Sequence, residues 1–183
     1  MIRDIKDDVK KVLYSEEQLA KRVKEIAEEI SKDYAGKDLL VVGILKGSVL
    51  FTSDLIKNIT IPCEIDFMAV SSYGNSAQTS GVVRILKDLD SDIENKHVLI
   101  VEDIVDTGTT LSYLLEYLKA RKAASIEIVA LLDKEARRTS NISAKYKGFD
   151  VPDEFIVGYG IDYAEKYRNL PFIGALKEEI YNK

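Results

Sequence analysis

Three long apolar runs constrain this chain more than any other feature: "DLLVVGIL" from Asp38 to Leu45, "HVLIVED" from His97 to Asp103 and "SIEIVALLD" from Ser125 to Asp133. Each has the length of a strand, and none alternates polar with apolar residues as a half-exposed strand does. Such a run is a strand covered on both faces, the condition of a strand inside a parallel sheet. Between them lie helical segments. Ser15 and Gln18 form a capping-box pattern, Leu19, Val23, Ile26 and Ile30 recur at helical spacing, and Gly36 supplies a stop. "KGSVLFTSDLIKNI" reads as a turn and a helix, and Leu111 to Arg121 as another helix. The alternation predicts an α/β fold with a mostly parallel sheet, helices on both faces and right-handed crossovers.

The rest of the chain fits one such unit. It has 183 residues, 46% hydrophobic, with three prolines and no evident linker, repeat or low-complexity segment, which suits a single domain spanning 1–183. "CEIDFMAVSS" and "VVRILKDL" bracket a polar stretch from Tyr73 to Gly81 that reads as a mobile loop. Beyond Asp150 the pattern changes to short strands, "EFIVGYG" and "FIGAL", around a Tyr-rich turn, expected to form a small flap over the sheet.

Composition excludes several functions. Net charge is -5 and the Lys and Arg are dispersed, so no nucleic-acid surface is expected and a small ligand is. No apolar run approaches the roughly 20 residues of a spanning helix, and "MIRDIKDDVKKVL" lacks the apolar core of a signal peptide, so no membrane role and a cytoplasmic location are expected. Cys63 is the single cysteine and cannot form an internal disulfide; His97 is the single histidine, which rules out a multi-His metal site.

Ligands of open parallel sheets bind outside the carboxyl ends of the strands. The loops that matter are therefore "LKGS", "EDIVDTGTT" and "DKEARR". In the second, Glu102 and Asp103 close a strand and Asp106 opens a turn that feeds Thr107, Gly108, Thr109 and Thr110 into a helix. Free amides at a helix start, a Gly for close approach and hydroxyl donors make a phosphate cradle. Carboxylates beside it would repel the anion unless they face sugar hydroxyls, a metal ion or a proton to be removed, so the expected ligand carries both a phosphate and a diol. Neither the P-loop spacing nor the dinucleotide fingerprint is present.

"VLIVEDIVDTGTTL" resembles the phosphoribosyl-diphosphate (PRPP) signature of type I phosphoribosyltransferases. "GILKGS", "LLDK" and "VPDEFIVGYGIDYAEKYRNLPFIGAL" resemble, in order and spacing, the hypoxanthine-guanine branch of that family. The resemblance implies a type I phosphoribosyltransferase fold: a twisted sheet flanked by helices, with a hood of N-terminal residues and roughly 150–183 over the C-terminal strand ends. It also implies purine salvage, the transfer of phosphoribosyl from PRPP to N9 of hypoxanthine or guanine to give IMP or GMP and pyrophosphate.

The resemblance further assigns roles. The loop Asp106, Thr107, Gly108, Thr109 and Thr110 matches the 5'-phosphate site, and Glu102 and Asp103 match the acids at the ribose hydroxyls, directly or through Mg2+. Asp106 matches the general base or proton partner of purine N7. Leu45, Lys46 and Gly47 match the pyrophosphate loop with its cis peptide, and Arg168 a further pyrophosphate contact. Lys134 matches the donor to the 6-oxo group, Phe155 the stacking aromatic, and Ile156 and Asp162 the positions at the base edge, Asp162 being also a metal ligand. Ser72 and Tyr73 match the lid. Where relatives commonly carry Pro after the lysine, this chain has Glu135. A homodimer or homotetramer is implied, and no nucleic-acid partner. Two rivals are a xanthine-preferring enzyme and a PRPP-sensing, nucleic-acid-binding regulator without catalysis; the second would be expected to carry a basic face, which the acidic balance opposes.

Overall fold

The structure, a computed structural model, describes residues 4–72 and 83–182. Its main sheet has six strands: β2 (Leu39–Leu45), β3 (Glu64–Ser72), β4 (Val83–Lys87), β5 (His97–Val105), β6 (Ser125–Asp133) and β7 (Tyr146–Asp150), in the order β4-β3-β2-β5-β6-β7. All neighbours run parallel except β4, which is antiparallel to β3. The three apolar runs are the three central strands, and their residues divide by parity. Leu39, Val41, Leu99, Val101, Val129 and Leu131 join one core with α1 (Glu16–Asp33) and α2 (Val49–Asn58). Leu40, Val42, Ile44, Val98, Ile100, Ile128 and Ala130 join another with α3 (Thr109–Lys119). Period-two alternation thus shares most of the apolar side chains of these strands between the two cores, which is why the runs are continuous.

Helix α1 is held as its spacing predicts. Ser15 and Gln18 cap it reciprocally, Leu19, Val23, Ile26 and Ile30 are buried, and Gly36 takes a φ of 74° beyond its end. Arg22 fixes it to β7, donating from Nε to the Gly148 carbonyl and from a terminal nitrogen to that of Lys147.

Two strands were not anticipated. β7 is five residues of mixed burial at the sheet edge, and β1 (Val9–Tyr14) is half lysine-flanked and largely exposed, so neither carries an apolar signature. β1 pairs antiparallel with β9 (Ile173–Leu176), and β9 with β8 (Ile156–Val157), a separate three-stranded sheet that joins the two ends of the chain. Val157, Tyr167, Leu170 and Leu176 form its own small core, against which Ile180 and Tyr181 of the short α4 (Glu178–Tyr181) pack. Among the described residues no helix is long and apolar enough to cross a membrane.

The order reverses at β2, whose successor in the chain, β3, lies on one side of it and β5 on the other. A crevice therefore opens between the carboxyl ends of β2 and β5, the position at which open α/β sheets bind ligands.

Candidate active site

Strand β5 runs two residues further than its acids. It continues to Val105 because β6 supplies ladder partners, Leu132 for Ile104 and Asp133 for Val105, so Glu102 and Asp103 lie within the strand and on opposite faces rather than closing it. Asp106 and Thr107 then form the turn, Gly108 takes a φ of 83°, and α3 starts at Thr109, two residues before the start expected. No side chain caps this helix in full: the Thr109 N–H reaches Thr107 Oγ1 only at 3.4 Å. Its first amides remain available to an anion. They border a cavity of about 200 Å³ lined by Glu102, Asp103, Asp106, Thr107, Gly108 and Thr110.

The carbonyls of this loop face the other way and are engaged by the segment after β6. Arg138 donates from Nε to the Asp106 carbonyl at 3.0 Å and also pairs with Asp133. The Thr107 carbonyl accepts from Ser140 Oγ at 2.9 Å and from the Thr139 N–H at 3.1 Å. A Cβ on Gly108 would lie 2.0 Å from Ser140 Oγ, so the clamp and the left-handed φ both require glycine here. Arg138 and Ser140 were missed in the sequence; "DKEARR" marked the loop, but nothing in it tells a clamping arginine from a solvated one.

Glu102 is buried, and its carboxyl is pushed well above the usual range, first by loss of solvent and then by the Asp103 charge. Asp103 is pushed up to about 6, again mainly by loss of solvent, with Arg168 opposing the shift. Its carboxylate presses on Gly47, where a Cβ would come within 1.8 Å of Oδ2. An unfolded aspartate titrates near ~3.9, so between about 4 and 6 the native state holds more protons than the unfolded chain and this group's contribution to stability falls as pH rises. Asp103→Asn carries no charge at any pH. It is expected to raise the Tm relative to the parent at pH 7.5 and to lose most of that advantage by pH 4.5, readable by thermal melts across the range; an equal offset at both ends would contradict the buried-charge origin.

The Leu45–Lys46 peptide is cis, as the resemblance implied. Lys46 Nζ meets Glu165 Oε2 at 2.7 Å, and Arg168 donates to the Gly160 carbonyl at 2.8 Å while lying 2.8 Å from Asp162 Oδ1 and 3.2 Å from Glu165 Oε1. Asp162 also accepts the Glu165 N–H. Among the described residues no group of three or more His, Cys, Asp or Glu side chains gathers to hold a metal.

A second cavity, of about 640 Å³, adjoins the first. Lys134 lies in its wall, buried, with Nζ 3.0 Å from the Glu154 carbonyl and 3.5 Å from Asp153 Oδ1. A lysine after a strand is usually solvated; this one is covered because the chain returns over it after β7, the Val151 N–H bonding the Asp133 carbonyl. Phe155 stands at the mouth, 48% exposed, stacked on Tyr181 at 4.3 Å and edge-on to Tyr163. Ile156 and Asp162 complete the wall. Tyr181 was not singled out in the sequence, since its partnership with Phe155 depends on the pairing of β8 with β9.

Asp106 lines both cavities. Its Oδ1 is buried without a hydrogen-bond partner, while Oδ2 lies 3.5 Å from the Arg137 guanidinium. The side chain as a whole is 40% exposed, so the carboxylate is placed to take a proton from a molecule bound against both linings. Of the expected lid residues, Ser72 ends β3, paired with Val83, and Tyr73 lies outside the described residues.

A cis loop, an acid-bearing strand and a helix start without a full side-chain cap, beside two neighbouring cavities, define a nucleotide-forming or nucleotide-binding α/β protein. The sequence model of the phosphoribosyl transferase domain matches residues 10–164, and the chain belongs to that family. It is 54% identical over 177 residues to a hypoxanthine-guanine phosphoribosyltransferase of Bacillus subtilis (strain 168), covering 97% of this chain and 98% of that one. A crystal structure of a hypoxanthine phosphoribosyltransferase from Staphylococcus aureus superposes with a TM-score of 0.96 at 55% identity, covering 100% of both chains. A mutant of the Trypanosoma cruzi hypoxanthine phosphoribosyltransferase, in a ternary substrates complex, gives 0.90 at 41% identity, covering 96% of this chain and 99% of that one.

Proposed function

We propose that this protein transfers the 5-phosphoribosyl group of PRPP to N9 of hypoxanthine or guanine, releasing pyrophosphate and forming IMP or GMP, a purine-salvage reaction. The observation that carries this reading is the pair of neighbouring cavities that share Asp106 in their walls: one suited to a sugar phosphate, the other to a flat base, with a half-exposed carboxylate common to both.

The residues divide the work. The amides and hydroxyls from Thr107 to Thr110 take the 5'-phosphate at the start of α3. Glu102 and Asp103 address the ribose hydroxyls. Phe155 stacks on the purine with Tyr181 behind it, the Ile156 backbone meets the base edge, and Lys134 donates to the 6-oxo group. Adenine offers a 6-amino donor instead, which would set one donor against another at the buried lysine, so adenine is expected to be rejected. As N9 attacks the anomeric carbon, the ring becomes cationic and Asp106 shares or removes the N7 proton. Lys46, the Gly47 amide and Arg168 stabilise the departing pyrophosphate.

The donor set fits Mg2+ shared with substrate rather than caged by protein. Glu102 and Asp103 are adjacent carboxylates whose burial favours their neutral forms and would make a cation welcome, and Asp162 adds a third acid nearby, already paired with Arg168. Bound through these acids and the diphosphate, Mg2+ would neutralise charge on the leaving group.

The test is an absorbance assay with PRPP, Mg2+ and one base at a time. Hypoxanthine and guanine are expected to turn over at least ~10³-fold more efficiently than adenine, since a site built on a hydrogen bond discriminates by roughly 10⁴ against a base lacking the partner. Comparable turnover of adenine would remove Lys134 from the specificity argument.

A further inference from the structure

Glu165 belongs to none of the roles above, yet it touches both side-chain cations assigned to pyrophosphate. Its Oε2 lies 2.7 Å from Lys46 Nζ and its Oε1 3.2 Å from the Arg168 guanidinium. The two contacts differ in sequence range: Lys46 follows β2, 119 positions earlier, whereas Arg168 is three residues along the same turn. The turn is built to present this side chain. Tyr163 and Lys166 exchange backbone hydrogen bonds, Ala164 and Glu165 take positive φ values of 49° and 62°, and the Glu165 N–H is anchored on Asp162 Oδ2 at 2.8 Å. Positive φ at two successive non-Gly residues is uncommon and is kept where the surrounding structure enforces it.

We propose that Glu165 is the internal counter-anion of the pyrophosphate subsite: its two carboxylate oxygens bridge Lys46 and Arg168 in the free protein and are exchanged for pyrophosphate oxygens when that ligand binds. This rests on the assignment of Lys46 and Arg168 made under the proposed function. The exchange is feasible because the glutamate side chain is 66% exposed and can turn into solvent. The Arg168 side chain is itself 26% exposed, so the guanidinium edge that now holds Glu165 can be presented to a ligand. The displaced carboxylate remains tethered beside the subsite, a like charge that competes with the ligand and speeds its departure. Glu165 is therefore a positioning residue, keeping two cations converged when no anion is present and weakening the hold on the product when one is.

The test compares the parent with Glu165→Gln by calorimetric titration of inorganic pyrophosphate in Mg2+, with GMP titrated in parallel. Removing the charge is expected to tighten pyrophosphate roughly three- to tenfold, the range for two exposed ion pairs that no longer need to be broken, and to leave GMP unchanged. Glu165→Asp, too short to span both cations, is expected to fall between. Unchanged or weaker pyrophosphate binding by Glu165→Gln, with GMP still bound, would overturn the counter-anion role alone. Failure of both proteins to bind pyrophosphate, with unaltered melting, would overturn it together with the assignment of Lys46 and Arg168.

Discussion

Asp106→Asn is expected to lose about 10²- to 10⁴-fold in kcat with hypoxanthine and PRPP, the range for removing a positioned acid or base from a proton transfer. The amide keeps the size of the side chain and an oxygen that can accept from Arg137, so the loop should hold its shape. What is lost is the capacity to take the N7 proton as the purine becomes cationic. The effect should fall on kcat rather than on binding of PRPP, because the groups proposed for the 5'-phosphate are backbone amides at the start of α3, which the substitution leaves in place. Steady-state kinetics with PRPP varied at saturating base separates the two. A variant within a few fold of the parent would assign the proton to another group, and the buried, unpartnered Oδ1 would then need a different explanation.

Lys134→Met is expected to have the second largest effect, and to show it as a change of specificity. The methionine keeps most of the buried stem, so the wall of the cavity stays filled, but the donor to the 6-oxo group is gone. Efficiency with hypoxanthine and guanine should fall by about 10²-fold or more, while the discrimination against adenine should collapse toward parity, since no buried ammonium is then left facing another donor. Measuring kcat/KM for all three bases gives the answer in one set. Loss of activity with discrimination intact would mean that Lys134 shapes the cavity without reading the base. Its neighbour Glu135 stands where relatives commonly have Pro and begins a short 3-10 turn to Arg137, so Lys134 is aimed by its bond to the Glu154 carbonyl rather than by a stiff residue after it.

The parts of the fold that were legible in the sequence are those whose physics is local. A central strand declares itself by an unbroken apolar run, a helix by a capping box and its spacing, and the phosphate loop by acids, hydroxyls and a Gly within nine residues, Glu102 to Thr110. The parts that were not legible depend on partners far away in the chain. β1 exposes two lysines and a valine to solvent and is a strand only because β9, more than 150 residues later, pairs with it. Arg138 and Ser140 matter because they meet the carbonyls of a loop some 30 residues earlier, and Tyr181 because β9 brings it under Phe155. Glu165 is the clearest case. In "YAEKYR" it is one charge among several, and its bond to Lys46 spans 119 positions. The acids of β5 were found but misplaced: they were read as the end of the strand, and the ladder with β6 carries it two residues further, which sets Glu102 and Asp103 on opposite faces.

The measurement that bears most directly on the whole is product analysis: the purified protein incubated with hypoxanthine, PRPP and Mg2+, with nucleotide separated by chromatography and pyrophosphate quantified alongside. IMP and pyrophosphate in equal amounts, formed by the parent and nearly abolished in Asp106→Asn, are expected. No nucleotide from a protein that still binds PRPP would contradict the transferase reading and leave a PRPP-binding protein without catalysis.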